Sequence, residues 1–121
     1  MISHIGVYVK NIKDSEKFYT PLLEVIGWSI IFSNDLCIAY GKNGVPFFEI
    51  YADKPASSPV HIAFECNSSA EVEAFYHKAI KLNATDNGKP GYREYFPGYY
   101  ACFIIDPNNH NLEGLYFEKT G

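Results

Sequence analysis

Positive charge is in short supply in this chain. Ten Lys and Arg stand against fourteen Asp and Glu, giving a formal net charge of −4 and a pI near 5.5. Nucleic-acid binding calls for a basic face, so no nucleic-acid partner is expected. No apolar run approaches the roughly 20 residues that a bilayer span requires, so no membrane partner is expected either. Cysteine is scarce: Cys37, Cys66 and Cys102 stand singly in apolar stretches, an odd count without CxxC spacing. That pattern reads as reduced core thiols in a cytoplasmic protein. The opening Met-Ile-Ser-His-Ile enters a strand at once, with no charged region followed by an apolar one as in a secretion signal. Low-complexity sequence is lacking as well.

Aromatic residues are abundant. They make up 17% of the 121 residues, with ten Tyr and nine Phe but one Trp, within a hydrophobic content of 47%. One compact domain spanning 1–121 is expected at this length. Ten Tyr suggest a pocket walled by aromatics with polar tips, beyond what the core needs.

The most informative pattern is an internal repeat. His4-Ile5 and Phe18-Tyr19 recur as His61-Ile62 and Phe75-Tyr76, and 61 − 4, 62 − 5, 75 − 18 and 76 − 19 all equal 57. Each copy closes on a Glu within an apolar run, Glu49 in Phe-Phe-Glu-Ile-Tyr and Glu113 in Asn-Leu-Glu-Gly-Leu-Tyr. A duplicated unit with one His at the start of its first strand and one Glu in its last can bring four ligands to one point. Such a set suits a divalent metal at a pseudo-twofold axis.

Each copy reads strand–helix–strand–strand–strand: module one over 1–52, a linker over 53–59 containing two Pro, and module two over 60–121. In module one, strands are expected at 4–10, 28–33, 36–41 and 46–51. The intervening helix carries Phe18, Leu22 and Val25, is capped at Asp14 or Ser15, and stops at Gly27. Pro21 predicts an irregular or broken helix there, because it cannot donate a hydrogen bond. In module two, strands are expected at 60–66, 99–105 and 111–117. The helix, capped at Ser68 or Ser69, buries Val72, Phe75, Tyr76, Ala79 and Ile80. Residues 83–98 form a long segment rich in Gly, Pro, Asn and Tyr whose part 86–98 can serve as a lid. By alternation, Ile5, Val7 and Val9 face one helix, and Ile62, Phe64 and Cys66 the other. His4, Gly6 and Tyr8 share the opposite side in module one, and His61, Ala63 and Glu65 in module two. Glu49 shares its side with Phe47 and Tyr51.

These residues resemble the vicinal oxygen chelate superfamily of glyoxalase I, fosfomycin-resistance proteins, bleomycin-binding proteins, methylmalonyl-CoA epimerase and extradiol dioxygenases. The carriers are His4-Ile5-Gly6-Val7-Tyr8-Val9, Ser15 with Phe18-Tyr19, His61-Ile62-Ala63-Phe64, and the run from Asp106-Pro107-Asn108-Asn109 through Leu112-Glu113. That run is similar to the family's Asp-Pro-(Asp/Asn)-Gly turn and closing strand, with Asn109 in place of Gly. The stretch from Asp86 to Ala101 resembles a glyoxalase-like subgroup. The resemblance implies an α+β fold of two tandem βαβββ modules, whose strands form a cup-shaped mixed sheet around the metal. It implies His4, His61 and Glu113 as ligands, with Glu49 at the remaining ligand position, and a homodimer.

The ligand types suit Zn, Ni, Fe, Mn or Co and do not choose among them. Glu49 and Glu113 are the catalytic candidates as well as metal ligands. The expected function is metal-dependent lyase or isomerase chemistry on a small molecule, through a stabilised oxyanion or enolate. The alternatives are a mononuclear non-haem iron dioxygenase and a metal-free ligand-binding, resistance-type protein. Arg93 is the only cation after Lys89 in an aromatic segment, and an Arg fork suits an anionic substrate. Tyr8, Tyr51, Tyr92, Tyr95, Tyr99 and Tyr100 are the candidate substrate-binding aromatics. Glu65 is either a general base or a solvated strand-end residue. His110 reads as a turn residue, His77 as an exposed one, and Cys102 as a buried thiol without a nucleophilic role.

Overall fold

A computed structural model describes residues 1–119. The chain divides into two compact units, one ending at Ser58 and the next beginning at Pro59. The first contains β1 (Ile5–Tyr8), α1 (Ile12–Glu24), β2 (Ser29–Ser33), β3 (Cys37–Lys42) and β4 (Val45–Tyr51). The second contains β5 (His61–Glu65), α2 (Ser69–Lys81), β6 (Thr85–Tyr92), β7 (Tyr99–Ile105) and β8 (Asn111–Phe117). Each unit is therefore βαβββ, as the repeat predicts, and each has its own four-stranded mixed sheet. The strand orders are β1-β4-β3-β2 and β5-β8-β7-β6, with β1–β4 and β5–β8 parallel and the remaining pairs antiparallel.

The two helices start at equivalent positions. Asn11 caps α1, its side-chain oxygen accepting from Asp14 N at 3.0 Å; Ser68 caps α2, accepting from Glu71 N at 3.1 Å. The cap of α1 thus lies upstream of the expected Asp14 or Ser15. The two caps differ by 68 − 11 = 57, the repeat offset, and satisfy N–H groups that have no partner inside the helix.

Helix α1 is continuous through Pro21, contrary to the break that proline predicts. Phe18, Tyr19, Leu22 and Leu23 are all buried on the sheet. Burial of large apolar side chains contributes roughly 1.5–3 kcal/mol each. Together these outweigh the roughly 3 kcal/mol that one internal proline costs. The helix ends where Gly27 takes φ +82° and its N–H bonds to the Glu24 carbonyl, the expected stop. In α2, Val72, Phe75, Tyr76 and Ala79 are buried, whereas Ile80, expected on that face, is 37% exposed.

In β5 the alternation is clean: Ile62, Phe64 and the following Cys66 are buried, and His61, Ala63 and Glu65 are exposed. In module one Val7 and Val9 are buried, but Ile5 is 39% exposed, against expectation. The reason is that α1 packs chiefly on β3, β2 and β4, leaving the start of edge strand β1 uncovered. Gly114 makes close packing of α2 possible, since a Cβ there would lie 2.9 Å from the Phe75 ring and 3.2 Å from Cys102 Sγ.

Residues 85–92 form strand β6 rather than a loop. An edge strand is paired on one side only, so it tolerates Pro90 and absorbs Gly88 and Gly91 through two register shifts against β7. Only 93–98 connects β6 to β7, and it is tied down by Arg93 N bonding to Tyr99 O and Glu118 N bonding to Gly98 O.

Candidate metal centre

Parallel register places the same pair in each module. In β1–β4, Gly6 stands opposite Glu49; in β5–β8, Ala63 stands opposite Glu113. The His two residues before each of these small residues lies on the same face and reaches diagonally toward the Glu. His61 Nε2 is 3.0 Å from Glu113 Oε1, and His4 Nε2 is 3.6 Å from Glu49 Oε1. The imidazoles are about half exposed, while the Glu113 side chain is 3% exposed and that of Glu49 15%.

The module-two pair is the more completely held. His61 Nδ1 is 2.9 Å from the Asn111 carbonyl oxygen, which can only accept, so Nδ1 carries a proton. A neutral His61 then turns a bare Nε2 toward a carboxylate oxygen. Two lone pairs 3.0 Å apart need a cation between them, either a proton or a metal ion. Orientation of a ligating imidazole by a carbonyl at its other nitrogen is the usual arrangement in metal sites. The Phe103 ring, opposite Glu113 in the β7–β8 register, stacks on His61 at 6.2 Å between centroids. The donor set therefore fits a divalent cation. Among the described residues no three His, Cys, Asp or Glu side chains gather closely enough to hold one. What the structure shows is one His–Glu pair per module.

A tyrosine donates to each Glu. Tyr51 OH bonds to Glu49 Oε1, and Tyr99 OH bonds to Glu113 Oε2. The bond to Glu49, with burial second, raises the Tyr51 pKa; burial, with the bond to Glu113 second, pushes Tyr99 up to about 12. Both hydroxyls thus remain donors at neutral pH. Gly6 makes the Tyr51 position possible, because a Cβ at residue 6 would lie 2.8 Å from the Tyr51 ring.

The remaining candidates are placed as follows. Tyr8 lies on the Glu49 side, 5.7 Å from Tyr51 between centroids, with Lys54 Nζ 5.7 Å above its ring. Tyr95 packs edge-on to Tyr99, and Phe96 and Phe117 also pack around Tyr99. Tyr92 and Tyr100 are paired in register and meet edge-on at 5.0 Å. Tyr100 alternates with Tyr99, so this pair lies on the α2 side of the sheet, and Tyr92 OH donates to Glu118 at 2.5 Å. Arg93 folds back on its own strand: Nη1 donates to Gly91 O at 2.9 Å and Nη2 to Lys89 O at 2.7 Å, with the guanidinium 5.4 Å above Phe103. Glu65 is exposed on the His61 side.

His110 is fully buried. Its Nδ1 accepts from Val60 N at 3.1 Å, and its Nε2 is buried without a hydrogen-bond partner among the described residues. It belongs to a turn in which Asp106 Oδ1 accepts from Asn108 N and His110 N. There Asn109 takes φ +69°, the left-handed backbone that explains why Gly is usual and Asn tolerable at that position. His77 is exposed on α2. All three cysteines are free; Cys66 and Cys102 are buried, which pushes both thiols up to about 12 and leaves them poor nucleophiles. Cys37, expected in the core, is half-buried beside Tyr51.

Sequence reading named Tyr51 and Tyr99 as pocket walls but missed their bonds to the carboxylates. It also missed Phe103 and the Asn111 carbonyl. A parallel pairing of β5 with β8, inferable from the repeat, is the signal that would have put Asn111 opposite His61.

A pocket lined by Lys13, Glu16, Asn34 and Asp35 contains none of these candidates. No helix among the described residues is long and apolar enough to cross a membrane.

Comparison with solved structures gives close folds. A glyoxalase/bleomycin resistance protein from Albidiferax ferrireducens T118 is 24% identical over 94% of this chain and 96% of its own, with a TM-score of 0.80. A glyoxalase-related enzyme from Fulvimarina pelagi is 17% identical over 96% and 87%, with a TM-score of 0.74. A glyoxalase/bleomycin resistance protein/dioxygenase family enzyme from Burkholderia phytofirmans PsJN is 15% identical over 97% and 98%, with a TM-score of 0.75. At these identities the likeness establishes the fold. No curated protein matches the chain. The family model for the Glyoxalase/Bleomycin resistance protein/Dioxygenase superfamily matches residues 1–113, and together with the duplicated βαβββ fold and its paired His and Glu it places this chain in that superfamily.

Proposed function

We propose that this protein is a divalent-metal-dependent enzyme of the glyoxalase-like type, acting on a small molecule through lyase or isomerase chemistry. In this reading the His–Glu pair of each module supplies the ligands, His4 with Glu49 and His61 with Glu113. The observation that carries it is the His61–Glu113 pair, with Nδ1 committed to the Asn111 carbonyl and Nε2 turned to a buried carboxylate. When bound, the ion would supply Lewis-acid stabilisation of an oxyanion or enolate.

The chain's own residues would do the rest. His61 presents Nε2 in a fixed orientation, backed by Phe103. Glu49, the more exposed of the two carboxylates, is the better placed to exchange a proton with a substrate carbon. Tyr99, backed by Tyr95 and Phe96, would shield the Glu113 carboxylate from water. Arg93 uses two of its five N–H donors on backbone carbonyls, leaving donors for an anionic substrate group. We further propose a cytoplasmic homodimer, since edge strands β1, β2, β5 and β6 each have one unpaired side within their own sheets.

The test is elemental analysis of protein purified without added metal, comparing wild type with a His4→Ala, His61→Ala double variant. A stoichiometric transition metal in the wild type, reduced to background in the variant, is expected. Equal metal content in both would remove the reading.

A further inference from the structure

Both candidate carboxylates accept a tyrosine hydroxyl, yet the two tyrosines are not copies of each other. The register that aligns Glu49 with Glu113 has an offset of 113 − 49 = 64, and it also aligns β3 with β7, because Ala39 faces Glu49 and Phe103 faces Glu113. Under that offset the counterpart of Tyr51 is Leu115 (51 + 64), and the counterpart of Tyr99 is Asp35 (99 − 64). Tyr51 reaches Glu49 from two residues along the same strand, whereas Tyr99 reaches Glu113 from the start of the neighbouring strand. The two contacts are therefore not equivalents under the repeat.

They also hold different oxygens. Tyr99 bonds to Glu113 Oε2, the oxygen away from the imidazole, and leaves Oε1 facing His61 Nε2. Tyr51 bonds to Glu49 Oε1, the same oxygen that lies nearest His4 Nε2. A cation shared between imidazole and carboxylate would meet a free lone-pair oxygen in module two. In module one it would meet an oxygen already engaged by a hydroxyl.

We propose that Tyr99 and Tyr51 are positioning residues of opposite effect: Tyr99 fixes Glu113 as a one-oxygen ligand with the His-facing oxygen not engaged by the hydroxyl, and Tyr51 latches the corresponding oxygen of Glu49. On this basis the His61–Glu113 pair is the stronger cation-binding pair, and the Glu49 oxygen nearest His4 is open to a cation only when Tyr51 releases it. The inference rests on the metal-binding reading above and adds an order and an asymmetry to it.

The experiment compares wild type, Tyr99→Phe and Tyr51→Phe. Each substitution removes one oxygen atom and keeps the ring, so the packing of Tyr99 against Tyr95 and Phe117 and of Tyr51 against Tyr8 persists. Co(II) is titrated into metal-free protein and followed by its visible absorption. Separately, the ring ¹⁵N resonances of His61 are recorded without metal. Tyr99→Phe is expected to weaken Co(II) binding by about tenfold or more, the usual effect of losing a partner that orients a ligand. Tyr51→Phe is expected to leave affinity unchanged or raise it. Without metal, Tyr99→Phe should shift the His61 Nε2 resonance, because Glu113 is no longer held against it, and Tyr51→Phe should not. Equal weakening by both variants, or weakening by Tyr51→Phe alone, would overturn the asymmetry. A wild type that takes up no Co(II) would remove the metal reading instead, and the His61 resonances would then decide the positioning role by themselves. An unmoved Nε2 signal in Tyr99→Phe overturns it.

Discussion

The two modules share one plan but differ where the second has more chain. From the end of α1 at Glu24 to Ala39, which faces Glu49, there are 39 − 24 = 15 steps; from the end of α2 at Lys81 to Phe103, which faces Glu113, there are 103 − 81 = 22. Seven more residues therefore lie between α2 and β7, in the stretch that contains β6, Arg93 and the aromatic segment before Tyr99. Upstream of that insertion the copies remain at an offset of 57, including both helix caps. The core-forming parts have stayed in step, and the insertion has gone to an edge strand and its loop, where added length disturbs no buried contact. Just after that insertion Tyr99 bonds to Glu113, with Tyr95 and Phe96 packed on its ring. Module one has Asp35 at the position equivalent to Tyr99; it meets its Glu with Tyr51 from the same strand and needs Gly6 to make room. The lesson is that a duplicated frame can keep its paired His and Glu while the groups that hold the carboxylate are supplied by whichever strand is near.

The largest difference in stability is expected in the helices. Pro21 and Lys78 occupy the same repeat position, 78 − 21 = 57, and only Pro21 lacks a backbone donor. Pro21→Ala should raise stability to chemical denaturation by up to about 3 kcal/mol, while Lys78→Ala should change it by less than about 0.5 kcal/mol. A destabilised Pro21→Ala would mean that the ring's packing, half-buried on α1, outweighs the missing hydrogen bond.

The caps should show no difference. Asn11→Ala and Ser68→Ala each remove one side-chain acceptor for an otherwise unpaired helix N–H, so each should cost about 1 kcal/mol. Unequal losses in thermal or denaturant unfolding would show that the equivalence of the two helix starts is geometric and not energetic.

The smallest effect concerns alkaline pH. Tyr99 and Tyr40 are both pushed up to about 12, Tyr40 by burial with its hydroxyl 2.8 Å from Thr20 Oγ1. A tyrosine pKa raised above its unfolded value of about 10 stabilises the fold fully below pH 10. That contribution is lost as pH rises from 10 through 12. Ultraviolet titration should therefore show a late-ionising tyrosine class in the folded protein, and Tyr99→Phe should diminish it. If all tyrosines ionised together near pH 10, the close contacts of Tyr99 with Glu113 and of Tyr40 with the core would not persist in solution.

Much of this protein was legible from its sequence. Repeated His-Ile and Phe-Tyr pairs at one offset, with a Glu closing each copy, determined two βαβββ units and put His4 with Glu49 and His61 with Glu113. They did so because strand alternation and helix periodicity are local properties of the chain. Strand limits at 99–105 and 111–117 follow from a continuous apolar run in the first and from the Asp106-Pro107-Asn108-Asn109 turn that separates it from the second. Other features were decided only in three dimensions. Pro21 stays within one helix because four buried side chains outweigh a lost hydrogen bond, and residues 85–92 pair as an edge strand despite their Gly and Pro. Which tyrosine meets which carboxylate, and by which oxygen, depends on register between strands far apart in sequence. So does the commitment of His61 Nδ1 to the Asn111 carbonyl. Register is a sum over a whole sheet's hydrogen bonds and side-chain packing, so no single residue encodes it.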